Sequence, residues 1–107
     1  MRVLDDIKKI KRLDKSNVLG SIELMHKQCQ QAWQEVKKVK IPQSYKNIKN
    51  VVINGMGGSG IGGHVIQSLY FKKLKIPLGV IHTYNLPACV NKDTLYIISS
   101  YSGTTEE

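Results

Sequence analysis

A glycine-rich loop at residues 55–63 is the first pattern in the sequence that points to chemistry. It lies between a short apolar run at 51–53 and an apolar, helix-permissive segment at 61–74. Because glycine costs backbone entropy wherever it is placed, a dense cluster indicates turns with positive φ or the close approach of another group. A strand, a glycine turn and a helix N-terminus form an anion site, since the first N–H groups of the helix lack intrahelical partners. The pattern therefore predicts a phosphate-binding loop. The six glycines in these nine positions are Gly55, Gly57, Gly58, Gly60, Gly62 and Gly63.

A second loop, at residues 99–105, contains five serines and threonines in seven positions. Short neutral donors of this kind suit a phosphate monoester, which accepts several hydrogen bonds. We predict that Ser100, Ser102 and Thr105 donate to it, together with backbone N–H groups around Gly103. The alternative is that these side chains only cap turns and the start of a helix.

Nucleotide sites are the main alternative for the glycine loop. Residues 55–60 match G-x-G-x-x-G, the fingerprint of a dinucleotide site. That site needs an acidic residue about 20 positions on, at the end of the second strand, to hold a ribose hydroxyl. Residues 82–85 end that strand without an acid, and Asp93 lies well beyond it. The Gly-Lys-Ser/Thr of a P-loop is also missing. The sequence therefore disfavours a nicotinamide cofactor, and we expect neither a cofactor nor a metal.

The predicted strands place both loops at one edge of a sheet. Apolar runs at 50–54, 78–84 and 94–99 predict three strands, and the segment 61–73 predicts a helix between the first two. This order is the beginning of a doubly wound α/β sheet. In a flavodoxin-like order, 2-1-3, the first and third strands are neighbours, and ligands bind beyond their carboxyl ends. That order brings the glycine loop and the Ser/Thr loop to one site.

The N-terminal part of the chain reads as helical. Apolar residues at steps of three or four predict an amphipathic helix over about 18–39. Met25 and Trp33 lie on its apolar face, and we expect them to be buried in the protein core. We divide the chain into an N-terminal helical segment, 1–42, and an incomplete α/β domain, 43–107, that holds the first three strands. Because the last residues look like the start of a further helix, we expect the chain to be truncated.

Composition excludes several classes of protein. With 107 residues, 41% of them apolar and 22% charged, the chain suits one small globular domain. No apolar run approaches the ~20 residues of a membrane span. Cys29 and Cys89 stand in unrelated contexts, which favours reduced thiols in a cytoplasm. The net charge is +8, but twelve of the sixteen basic residues fall in the first fifty positions, in a pattern typical of solvated helix faces. We therefore expect neither a membrane nor a nucleic-acid partner.

Three motifs together resemble the SIS (sugar isomerase) domain. They are N-G-M-G-G-S-G-I-G-G after the first strand, Y-N-L-P after the second and S-S-Y-S-G-T-T-E-E after the third. Within that family they are most similar to the N-terminal part of the bifunctional phosphoglucose/phosphomannose isomerases, so that residues 43–107 would be an incomplete SIS domain. One position departs from the motif, because Thr104 stands where the family usually has Asn, which tolerates a left-handed backbone better.

The resemblance implies a phosphosugar site and an aldose–ketose isomerisation. By motif, the resemblance implies that the sugar lies against Gly57, Gly58 and Ser59. It implies that the phosphate is held by Ser100, Ser102 and Thr105. The family's reaction converts glucose 6-phosphate or mannose 6-phosphate to fructose 6-phosphate through an enediol, which needs a general base and an acid/base group at the ring oxygen. The related isomerases supply these groups downstream of the phosphate motif. We therefore expect no catalytic residue within this chain, with the catalytic groups downstream of Glu107, and predict that the 107-residue chain alone is inactive.

A function of a different class stays open. A non-catalytic SIS module can sense a phosphosugar in a transcription regulator, and it needs the same two loops. In both cases the resemblance implies a small phosphosugar as the ligand. For the full-length enzyme it also implies a homodimer.

Overall fold

The computed structural model describes residues 3–106 of the chain. It divides into two compact units, Met1–Lys40 and Ile41–Glu107. The first contains helices, and the second contains a parallel sheet with one α-helix. The assignment of 1–42 as a helical segment and of 43–107 as an incomplete SIS domain stays a prediction. No helix within residues 3–106 is long and apolar enough to cross a membrane.

The first unit consists of short helices. They are a 3-10 turn (Val3–Asp5), α1 (Ile7–Leu13), α2 (Val18–Glu23) and α3 (Met25–Val36). The carboxylate of Asp14 accepts the N–H groups of Val18 and Leu19, each at 2.7 Å. It thereby satisfies donors that the first turn of α2 leaves without partners.

The helix predicted over 18–39 differs from the structure in two ways. It is interrupted at Leu24, whose φ of −86° and ψ of −1° separate α2 from α3, and α3 ends at Val36. The prediction that Met25 and Trp33 lie in a core is wrong, since they are 55% and 62% exposed. An amphipathic helix buries its apolar stripe only against an opposing surface, and the helices of this unit fully bury none of their own residues.

The second unit is built on a three-stranded parallel sheet. Its elements are a 3-10 turn (Gln43–Asn47), β1 (Asn50–Asn54), α4 (Gly58–Tyr70), β2 (Leu78–Ile81) and β3 (Thr94–Ile98). The strand order is β2-β1-β3, with both pairs parallel. The predicted α/β class and the 2-1-3 order are therefore confirmed. In this register Asn54 lies beside Ile81 and Ile98, so the three strands end at one level.

The buried part of this unit is centred on β1. Val52 and Ile53 are 3% and 7% exposed, and β1, which contains them, is paired on both edges. α4 lies against the sheet at Gly63, where a Cβ would come within 3.1 Å of Val80 and 3.3 Å of Ile53. β3 lies at the edge of the sheet within the described residues, and Ile98 at its end is 71% exposed.

Two element boundaries differ from the prediction and affect the site. α4 begins at Gly58 instead of residue 61, because the chain already turns at Gly57, with φ of 53°. β2 ends at Ile81 instead of residue 84, which leaves His82 in the loop that follows. Gly58 and Ser59 therefore belong to the first turn of the helix, and His82 lies at the end of the sheet where both loops emerge.

Candidate functional site

The sheet brings the two predicted loops side by side. The glycine loop follows β1, and the Ser/Thr loop follows β3, its direct neighbour. Hydrogen bonds then join them: the Ser99 N–H donates to the Asn54 carbonyl at 2.8 Å, and the Ser99 hydroxyl donates to the Ser59 carbonyl at 3.0 Å. The Ser59 hydroxyl oxygen in turn accepts the Tyr101 N–H at 3.2 Å. Two loops about forty residues apart in sequence therefore form one structure.

The first turn of α4 lies beside this junction, since Gly58 and Ser59 line the same cleft as Ser99 and Tyr101. The N–H groups of Ser59 and Gly60 donate to the Met56 and Gly57 carbonyls at 3.1 and 3.2 Å, which makes a tight first turn. Within residues 3–106, the N–H groups of Gly57 and Gly58 donate to no other group. These two donors and the positive end of the helix dipole favour an anion or a polar oxygen atom.

The glycines of the loop differ in what requires them. At Gly55, a Cβ would lie 3.0 Å from the Ser99 carbonyl oxygen, so the close approach of the two loops needs glycine. At Gly60, a Cβ would overlap the His82 ring and lie 2.6 Å from the Gly55 carbonyl oxygen. At Gly58, by contrast, a Cβ would meet no atom within 4 Å. The missing side chain of Gly58 therefore serves no internal contact and leaves the cleft open.

The Ser/Thr loop holds its hydroxyl groups by backbone contacts. The Ser100 hydroxyl oxygen accepts the Gly103 N–H at 3.0 Å, and the Ser102 hydroxyl oxygen accepts the Thr104 N–H at 3.3 Å. Ser100 Oγ also lies 3.0 Å from Thr105 Oγ1. An oxygen that accepts a backbone N–H keeps its own hydrogen for another acceptor. Ser102 thus keeps its hydrogen for another acceptor, and the Ser100–Thr105 pair keeps one of its two hydrogens, because the other joins the two oxygens.

The backbone of this loop accommodates Thr104 without strain. Its left-handed residue is Gly103, with φ of 66°, and Thr104 is not among the described residues with positive φ. Because Gly103 adopts the left-handed conformation, residue 104 does not have to. A β-branched Thr in place of the Asn usual in SIS domains therefore adds no left-handed strain at this position.

A cleft of about 690 Å³ opens between the two loops. That volume lies within the range typical of small-molecule sites. Among residues 3–106, the groups that line the cleft include no carboxylate. Its lining residues are Gly58, Ser59, Ser99, Ser100, Tyr101 and Ser102.

Four of the six residues predicted to bind ligand line this cleft, namely Gly58, Ser59, Ser100 and Ser102. The other two lie next to it. Gly57 caps α4, and Thr105 bonds to Ser100 and lines a smaller adjoining crevice. All six lie in one region, and the roles predicted for them at the sugar and at the phosphate stay predictions.

His82 also supports the candidate site, although the sequence analysis assigned it no role there. Its Nδ1–H donates to the Gly55 carbonyl oxygen, and its Nε2 lies 2.9 Å from Nε2 of His64. The ring therefore supports the turn of the glycine loop from the β2 side. The parallel register contains the signal, because a residue that follows the partner of Asn54 must lie beside Gly55.

Comparison with known proteins finds several relatives that share the same name. The chain is 42% identical over 87 residues to a bifunctional phosphoglucose/phosphomannose isomerase of Caldicellulosiruptor bescii, a match that covers 81% of this chain and 26% of the relative. A protein of the same name from Thermoplasma acidophilum is 36% identical over 90 residues, covering 78% and 28%. One from Aquifex aeolicus is 38% identical over 76 residues, covering 70% and 22%.

The chain spans about a quarter of the length of the curated relatives it matches. No family model matches it, and no solved structure matches it. The chain is therefore similar to a part of proteins named as isomerases.

Proposed function

We propose that this chain supplies the phosphosugar-binding loops of an aldose–ketose isomerase that interconverts glucose 6-phosphate or mannose 6-phosphate with fructose 6-phosphate. The observation that carries the proposal is the junction of the two loops, in which Ser59 bonds to both Ser99 and Tyr101. The names of the relatives, which match 70% to 81% of this chain, support the same reaction class.

In this proposal the phosphate lies on the Ser/Thr loop. Ser100, Ser102 and Thr105 donate O–H hydrogen bonds to its oxygens, supported by the N–H contacts that hold Ser100 and Ser102 in place. Neutral donors suit a phosphate monoester because hydrogen bonds to a charged acceptor are shorter and stronger than those between neutral groups.

The sugar lies across the start of α4. Gly58 has open space on the side where its Cβ would be, so a ring or an open chain can approach the backbone closely. The N–H groups of Gly57 and Gly58 are available to donate to sugar oxygens. Ser59 lines the cleft beside them and contacts the sugar in this proposal. These residues bind and orient, while the general base and the ring-opening group are proposed to lie outside residues 1–107.

A titration with fructose 6-phosphate tests the proposal, with fructose as the control that lacks the phosphate. We expect heat of binding for the phosphorylated sugar only. A coupled assay of the full-length protein then tests the reaction itself, and interconversion of glucose 6-phosphate and fructose 6-phosphate is expected. Failure to bind fructose 6-phosphate would contradict the assignment of the loops.

A second candidate is a phosphosugar-sensing module of a regulator. The described residues that line the cleft offer hydroxyl and backbone groups that can bind a ligand, and binding is all that a sensor needs. The two candidates separate in one experiment on the full-length protein. Binding with turnover indicates the isomerase, whereas binding without turnover indicates the sensor. The homodimer expected for the full-length enzyme stays a prediction.

A further inference from the structure

Asn54 is a buried polar residue at the end of the central strand. It is only 6% exposed, next to the apolar Val52 and Ile53. Its side-chain nitrogen donates to the Thr83 carbonyl at 2.8 Å and to the Tyr96 hydroxyl at 2.9 Å. Both amide hydrogens are therefore used, and Asn54 ties β1 to β3 and to the loop after β2.

The carbonyl oxygen of this side chain has no such partner. Asn54 Oδ1 is buried and accepts no hydrogen bond from any group in residues 3–106. Turning the amide around would not help, because Oδ1 would then face the Thr83 carbonyl oxygen, and two acceptors cannot bond. Since buried polar atoms in folded proteins are nearly always hydrogen-bonded, a donor other than the groups of residues 3–106 is indicated.

A small crevice beside Asn54 has room for such a donor. Its volume is about 10 Å³, close to the space that one water molecule requires. Ser100 and Thr105, whose hydroxyl oxygens lie 3.0 Å apart, line the same crevice. The full lining is Asn54, Gly55, Met56, Ile98, Ser99, Ser100 and Thr105.

We propose that Asn54 Oδ1 accepts a hydrogen bond from one ordered water in this crevice, which donates its second hydrogen to the Ser100–Thr105 hydroxyl pair. One hydrogen of this pair lies between Ser100 Oγ and Thr105 Oγ1, so a pair that accepts from the water has its other hydrogen left to donate outward. Asn54 is then a positioning residue for the phosphate donors, acting through the water. This inference rests on the proposed function, because it concerns the same phosphate site.

The test compares two variants that both lose a contact of the Asn54 amide. Asn54→Leu removes Oδ1 at similar volume, while Tyr96→Phe removes one partner of the amide nitrogen and leaves Oδ1 in place. Each is titrated with inorganic phosphate and with fructose 6-phosphate. We expect Asn54→Leu to reduce the affinity for both ligands by the same factor, roughly five- to tenfold. Tyr96→Phe should leave both affinities within about twofold.

Three results would overturn the inference. Unchanged affinities in Asn54→Leu would deny any role of Oδ1, and equal losses in both variants would reduce Asn54 to a link between strands. A loss confined to fructose 6-phosphate would mean that Oδ1 bonds a sugar hydroxyl instead of water.

A crystal structure of the unmodified protein gives a second test that does not depend on the folding of a variant. A water within hydrogen-bond distance of Asn54 Oδ1 and of Ser100 or Thr105 is expected. An Oδ1 that bonds a protein group instead would overturn the inference. If the unmodified protein binds neither phosphate nor fructose 6-phosphate, the proposed function fails, and the crystal structure still decides whether the water is present.

Discussion

The hydroxyl of Ser99 donates a hydrogen bond to the carbonyl oxygen of Ser59 at 3.0 Å, across 40 positions of sequence. This contact joins the loop after β3 to the first turn of α4. The parallel pairing of β1 with β3 makes it possible, because both strands end at the same level. The candidate site therefore depends on the order of the strands as much as on the two motifs.

The hydroxyls of the Ser/Thr loop are predicted to contribute to affinity. The double change Ser102→Ala plus Thr105→Ala should weaken the binding free energy of fructose 6-phosphate by about 1–3 kcal/mol, because two donors to a charged acceptor are lost. Titration calorimetry measures the loss. Thr104→Ala is the matched control from the same loop, outside the predicted donors, and its affinity should be unchanged. Equal affinity of the double variant and the unmodified protein would contradict the phosphate assignment.

Side chains at Gly58 are predicted to block the cleft without harming the fold. A Cβ there meets no atom within 4 Å, and Gly58 lines the cleft. Gly58→Leu should keep the melting temperature and abolish measurable binding of fructose 6-phosphate. Gly62→Ala is the control, since it also has open space but lies outside the cleft lining. It should bind normally and raise stability by about 0.5–1 kcal/mol, as expected for alanine in place of glycine within a helix. Normal binding by Gly58→Leu would refute the predicted position of the sugar.

Gly60→Ala is predicted to destabilise the protein. The added methyl group would overlap the His82 ring and lie 2.6 Å from the Gly55 carbonyl oxygen, and such overpacking costs about 1–3 kcal/mol. Chemical denaturation measures it against Gly62→Ala in the same helix. In a Gly60→Ala, His82→Ala double variant the ring clash disappears while the backbone clash remains, so the two changes should be less than additive. Strictly additive effects would argue against this packing.

The edge strand β3 is predicted to promote self-association of the 107-residue chain. Ile98 is 71% exposed on a strand that is unpaired on its outer edge within the described residues. A charge at such an edge opposes strand pairing between molecules. Ile98→Lys should therefore reduce light scattering of concentrated protein. Leu13→Lys is the matched control, because Leu13 is equally exposed, at 71%, but lies in helix α1. Equal reductions in both variants would point to net charge instead of the strand edge.

The sequence contains enough to predict the centre of the fold. The apolar run before Gly55 predicts β1, and the Asn50–Asn54 strand of the structure agrees with it. The strand order and the meeting of the two loops follow from the rules for parallel sheets. These features depend on local patterns and on topology, and both can be read from a single chain.

Other features depend on contacts that no local pattern contains. The apolar period runs unchanged past Leu24, so the break between α2 and α3 leaves no signal in the sequence. Whether Trp33 is buried depends on an opposing surface, which periodicity does not report. The contact of His82 with Gly55 and the orphaned oxygen of Asn54 arise only once β1, β2 and β3 are placed side by side.

The most direct test of the central claim is nuclear magnetic resonance of the isotope-labelled protein titrated with fructose 6-phosphate. If the two loops form one phosphosugar site, backbone amide signals of residues 57–60 and 99–105 shift together and fit a single dissociation constant. Fructose without phosphate should leave both sets in place at the same concentrations. Shifts confined to one loop, or different constants for the two loops, would contradict the account.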